Sequence, residues 1–188
     1  MAQNLTIRRG ETFNYTLRWM CDPIRYIPIS QIFDTLPITL TCKNHGIFTG
    51  TPVTVINGKA KTQSTIVENA TAIAIDTDTI QLDTDEAGIK AFSKADYVRT
   101  YTYVNLRGMT ARCYFKKAVG SPILFELTTE NGRIAIDETN NAITLTINAL
   151  DTEQIAFDSA KYDLELVSGG TVVRLVEGDV SVEGEITV

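Results

Sequence analysis

The sequence has one histidine, three cysteines and no apolar run near the roughly 18–20 residues that a membrane-spanning helix needs. With His45 as the only imidazole, any Ser-His-Asp or Cys-His catalytic arrangement would have to use it. Cys21, Cys42 and Cys113 are widely spaced and odd in number, which argues against a disulfide framework. Residues 1–10 hold no apolar core of signal-peptide length, and Arg8-Arg9 lacks the apolar stretch that follows a twin-arginine signal. Basic residues are the minority, 17 against 23 acidic, for a net charge of −6 and a pI near 4.8. That balance speaks against sequence-independent nucleic-acid binding, which relies on Lys and Arg displacing phosphate counterions. A Gly-rich phosphate loop is also missing, since no Lys follows Gly169-Gly170 at Walker spacing. These absences predict a chain made in a reducing cytosol, with no membrane or nucleic-acid partner. The glycosylation triplets at Asn4, Asn14 and Asn69 are then coincidental.

What the sequence does have is β-branched side chains: Thr, Ile and Val together number 59 of 188 residues. They are stiff at χ1 and pack well on a pleated surface, so an all-β protein is expected. Phe13, Tyr15, Leu17 and Trp19 alternate with polar residues, the period-2 pattern of a half-buried strand after a turn at Arg9-Gly10-Glu11. Beyond residue 105 the chain reads as a meander. Met109, Ala111, Cys113 and Phe115 alternate, and Ile123, Phe125 and Leu127 follow; Cys113 reads as a small buried hydrophobe. Asn131-Gly132 signals a hairpin into Ile134 and Ile136, and Asn140-Asn141 a turn before Ile143, Leu145 and Ile147. Asp151 can cap a single helical turn over 151–154. Tyr162-Leu164-Leu166, Val173-Leu175 and a last strand through Val180-Val182 complete the set, with Gly169-Gly170 as a turn.

The middle has its own strands, Val53-Val55 before Asn57-Gly58 and Ile73-Ile75 before Ile80-Leu82, and a short helix is expected within 87–97. The expected architecture is an immunoglobulin-like Greek-key sandwich from residues 1–30 plus 105–188, with a small β-domain of residues 31–104 inserted. Such insertions are tolerated because loop-closure entropy grows slowly with length.

Candidate chemistry is sparse. Cys42 and His45 have a Cys-x2-His spacing, half of a zinc site, but no second close pair exists, and a His-Gly turn between strands explains them. The acidic run 76–86 fails as a calcium loop: counted from Asp83, Ala87 falls at the fifth position and Lys94 at the twelfth, where a bidentate Glu is needed. Asp137-Glu138 and Asp151/Glu153 lie at turn signals. Tyr97, Tyr101 and Tyr103, with Arg99 between them, form an aromatic strand face that could stack on a sugar or single-stranded nucleic acid. No catalytic constellation emerges, and no pattern calls for a cofactor or a metal.

The two ends, taken together, carry a resemblance. Arg9-Gly10-Glu11-Thr12-Phe13, then Leu106-Arg107-Gly108-Met109-Thr110-Ala111-Arg112, then Tyr162-Asp163-Leu164-Glu165-Leu166 and Gly178-Asp179-Val180-Ser181-Val182 follow one pattern. It resembles small β-sandwich proteins of tailed-bacteriophage virions, similar to the N-terminal domain of baseplate upper proteins. Leu106-Arg107-Gly108 stands where Leu-Thr-Gly is common, and about 75 residues intervene where the family has a short loop. Inside them, His45-Gly46, Thr49-Gly50, Val53, Val55 and Ile80-Gln81-Leu82 look like the small β-modules of phage tail proteins. The resemblance implies a non-enzymatic virion component that joins other virion proteins in symmetric copies in the tail, baseplate or neck. It would attach a fibre or receptor-binding protein. The alternative is a carbohydrate-binding module for host surface glycan, acting through the tyrosines.

Overall fold

The computed structural model describes residues 3–33, 36–58, 64–84 and 95–184. In chain order, β1 (Leu5–Arg8) and β2 (Phe13–Leu17) come first. β3 (Met20–Pro28), β4 (Gln31–Phe33), β5 (Thr39–Thr41), β6 (Thr51–Asn57), β7 (Ser64–Ala74), β8 (Thr79–Asp83) and β9 (Tyr97–Tyr103) follow. The rest is β10 (Thr110–Lys116), β11 (Ile123–Thr128), β12 (Ile134–Asp137), β13 (Ala142–Ile147), α1 (Ala149–Glu153), β14 (Ser159–Ser168) and β15 (Thr171–Glu183). The protein is all-β. It divides into two compact units, one of Met1–Trp19 and Asn105–Val188, the other of Met20–Val104. Residues 20–30, which the sequence pattern grouped with the sandwich, instead open the second unit, because β3 pairs with β9 along Met20–Pro28.

The first unit is a sandwich. One sheet has the order β1-β15-β14-β10-β11 and the other β12-β13-β2. Period-2 alternation sends Ala111, Cys113 and Phe115 of β10, and Tyr162, Leu164 and Leu166 of β14, inward against Ile143, Leu145 and Ile147 of β13. Burial at about 25 cal/mol per Å² of apolar surface makes this layer the main source of stability. The turn residues do fixed jobs. The Arg9 guanidinium donates to the carbonyls of Ile155 (3.0 Å) and Phe157 (3.1 Å) and pairs with Asp158 at 2.8 Å. At Gly178 a Cβ would lie 2.1 Å from the carbonyl oxygen of Gln3, so only glycine lets the N-terminal segment lie against β15. The Tyr162 hydroxyl donates to that same carbonyl at 2.8 Å.

Three local expectations need correction. Asn131-Gly132 does not close a hairpin: β11 pairs with β10 and β12 with β13, so this turn carries the chain from one sheet to the other. Asn131 Oδ1 accepts the main-chain N–H of Thr128 and of Arg133, which fixes the reversal without strand pairing. The helix is capped by Asn148, not Asp151. Asn148 has an extended backbone and accepts from the Asp151 N–H, while the Asp151 carboxylate pairs with Arg133 at 2.7 Å. Finally, Val173–Val182 is one continuous strand, β15, whose register against β14 shifts between Leu164 and Glu165.

The second unit is one sheet with the order β3-β9-β6-β7-β8-β5-β4. Its two outermost strands, β3 and β4, are consecutive in the chain, with only Ile29 and Ser30 between them. Ile29 N–H bonds to Asp96 O, just before β9, and Ser30 N–H bonds to Thr41 O in β5. One run of chain therefore serves both ends of the sheet, β3 bonding to β9 and β4 to β5, so the sheet curls back toward its own start in the manner of a small barrel. Ile38, Leu40, Val53, Val55, Ala72, Ile80, Leu82 and Val98 fill its core. The helix expected within 87–97 falls largely outside the described residues, and Tyr97 opens β9.

Candidate interaction surfaces

On β9 the alternation puts Val98 into the barrel core and leaves Tyr97, Arg99 and Tyr101 on the opposite face. The four residues of the expected patch have separate fates. Tyr97 stands edge-on to Tyr26 of β3, with ring centroids 6.4 Å apart. Tyr103 is committed inside the unit: its hydroxyl bonds to Thr51 Oγ1 and accepts the Phe48 N–H, and its ring lies 5.0 Å from that of Phe48. Tyr101 remains 49% exposed, and Arg99 is half-buried. Thus Arg99 and Tyr101 stay available, and the expected four-residue stripe is reduced to two.

Those two border a recess of about 280 Å³, whose wall is completed by Ile24, Thr54, Glu68 and Asn69. Register explains how Glu68 and Asn69 reach it. Val53 pairs with Ala70 and Val55 with Val67, so two residues of β7 oppose Thr54 alone. This is a bulge, and Asn69 takes the left-handed conformation at φ 56° that asparagine tolerates. In the sequence Asn69 stood out only as a glycosylation triplet and Glu68 not at all, although an asparagine inside a strand run can mark a bulge.

The sandwich carries a second concavity, about 480 Å³, on the outward face of β10, β14 and β15 beneath the turn at Val119. Its charges answer one another. Lys161 pairs with Asp179 at 2.8 Å, and Arg174 pairs with Asp163 (3.2 Å) and Glu177 (3.1 Å). Lys116 sits over the ring of Tyr114, 5.6 Å from its centroid.

The remaining sequence candidates are structural. His45 is buried, with Nδ1 accepting the Ile47 N–H at 2.9 Å and Nε2 donating to Asp76 O at 2.8 Å. Both ring nitrogens are used by the main chain, so neither can act as a base or a metal ligand. Burial pushes the Cys42 thiol up to about 12, which keeps it protonated and unreactive. Asp76 accepts the Asp78 N–H, and Asp78 accepts the Asn44 N–H, so this acidic run closes turns. Asp137 accepts from the side chain and N–H of Asn140 and from the Thr139 N–H; these bonds hold its carboxyl below the usual range. Glu138 instead accepts the Gly108 N–H. Among the described residues, no cluster of His, Cys, Asp and Glu could hold a metal ion. Comparison with known proteins adds no relative: no family model matches the chain, and no curated protein does.

Proposed function

We propose that the protein is a non-enzymatic structural component of a tailed-phage virion, acting in symmetric copies in the tail, baseplate or neck. There it would link other virion proteins or attach a fibre or receptor-binding protein. The observation that carries this reading is where the four resembling segments sit. Arg9-Gly10, Leu106–Gly108, Tyr162–Leu166 and Gly178–Val182, drawn from both ends of the chain, belong to one sandwich unit. Each supplies a defined element of it: the turn before β2, the entry to β10, β14, and the end of β15. The immunoglobulin-like Greek-key label belongs to the same proposal. Gold-labelled antibody against the full chain should decorate intact particles at a fixed ring of positions; particles that stay unlabelled would sink it. Many identical weak contacts add up in such a ring, which suits a protein built as a rigid scaffold.

A second reading, a carbohydrate-binding module, is favoured by the half-exposed Tyr101 ring lining a surface recess on the barrel unit.

A further inference from the structure

We infer that the recess bordered by Tyr101, Arg99, Glu68 and Asn69 binds one neutral hexose ring of a glycan. This deepens the carbohydrate reading and rests on it. At about 280 Å³ the recess lies just below the usual size of small-molecule sites, which suits a single ring better than a long chain. The Thr100 hydroxyl in its wall donates to the Pro52 carbonyl, but the Arg99, Glu68 and Asn69 side chains make no hydrogen bond or ion pair among the described residues. Every ion pair of the described residues lies in the sandwich unit instead. A guanidinium offers up to five N–H donors, a carboxylate only acceptors, and an amide both. Sugar hydroxyls donate and accept, so they can satisfy all three.

The charges select the class of sugar. A uronic or sialic acid would gain Arg99 but meet Glu68, and an amino sugar would gain Glu68 but meet Arg99. A neutral ring satisfies both without opposition. Tyr101, half exposed, lines the recess opposite Ile24 of β3, and an aromatic ring there can stack on the sugar's C–H bonds. The bulge places Glu68 and Asn69 together opposite Thr54, and all three line the recess.

The full chain is tested on an array holding neutral hexose oligosaccharides, sialylated glycans and uronic-acid polymers, and positives are titrated by calorimetry. Binding should be confined to neutral glycans. Tyr101→Ala should weaken it about tenfold or more, in line with the size of aromatic stacking contributions. Arg99→Ala and Glu68→Gln should each weaken it as well, with the thermal midpoint of every variant checked against the parent. Neutral-glycan binding that all three substitutions leave intact would overturn the recess while leaving the carbohydrate reading standing. A preference for acidic glycans would overturn the neutral assignment. A blank array would remove the carbohydrate reading and the recess with it.

Discussion

The sandwich and the barrel handle charge in opposite ways. In the sandwich, Arg8, Arg9, Arg112, Arg133, Lys161 and Arg174 each sit in an ion pair. In the barrel unit no ion pair occurs among the described residues; Arg25 donates to the carbonyls of His45 and Gly46, and Arg99 and Glu68 stay unpaired. Exposed pairs contribute only about 0–1 kcal/mol each, so the sandwich does not depend on them for stability. What they do is satisfy that surface internally. The lesson is that the larger concavity offers a ligand little unsatisfied chemistry, whereas the smaller one offers a donor, an acceptor and an aromatic ring.

The largest effects should test whether the two cores are separate. Leu164→Ala in the sandwich and Leu40→Ala in the barrel each remove a fully buried side chain and should cost about 2–5 kcal/mol. Amide hydrogen exchange should show lost protection confined to the altered unit; loss across both units from either change would break the division. Gly178→Ala comes next, at about 1–3 kcal/mol, because its Cβ cannot coexist with Gln3 O. The amides of β1 and β15 should exchange faster, and barrel amides should not. In the barrel, His45→Ala strands the Ile47 N–H and the Asp76 carbonyl and should cost about 1–3 kcal/mol. A denaturation midpoint equal to the parent's would show that water replaces the imidazole.

The smaller effects are electrostatic. Asp137 in the sandwich, held low first by the Asn140 side chain, and Asp76 in the barrel, held low first by the Asp78 N–H, both have depressed carboxyl pKa values. A group of this kind binds its proton more weakly in the folded state. Its stabilisation is complete above the ordinary carboxylate range and is lost as pH falls through the depressed folded value. Melting midpoints followed downward from pH 5 should fall, and Asp137→Asn should flatten the sandwich's share of that fall. Smallest of all, raising salt should shift the sandwich's exchange protection slightly and leave that of the described barrel strands unchanged, since among the described residues every surface pair lies in the sandwich. Equal shifts in both units would erase the contrast.

Local pattern carried much of this protein. The alternations at Phe13–Leu17, Thr110–Lys116 and Ser159–Ser168 are strands, and the Gly169-Gly170 and Asn140-Asn141 turns close hairpins. Asn131-Gly132 misled because the side-chain chemistry of a tight turn is the same whether or not the flanking strands pair. Helix capping misled for a related reason: Asn148 and Asp151 are both good cap residues, and the tertiary pair with Arg133 claims the aspartate. The aromatic stripe was visible, but the fate of Tyr103 depended on Thr51 and Phe48, some 50 residues away in sequence.

By itself, the sequence determined the all-β class, the spacing of most strands, and two strand sets with one interrupting the other. Those follow from side-chain shape and period-2 alternation, which act over a few residues. Tertiary structure alone decided that β3 belongs to the barrel unit, that the chain crosses from one end of its sheet to the other at Ile29 and Ser30, and that a bulge brings Glu68 and Asn69 beside Tyr101 and Arg99. Pairing partners and register arise from contacts between segments far apart in the chain. A period-2 pattern says which face of a strand is buried, and it is silent on which strand lies alongside.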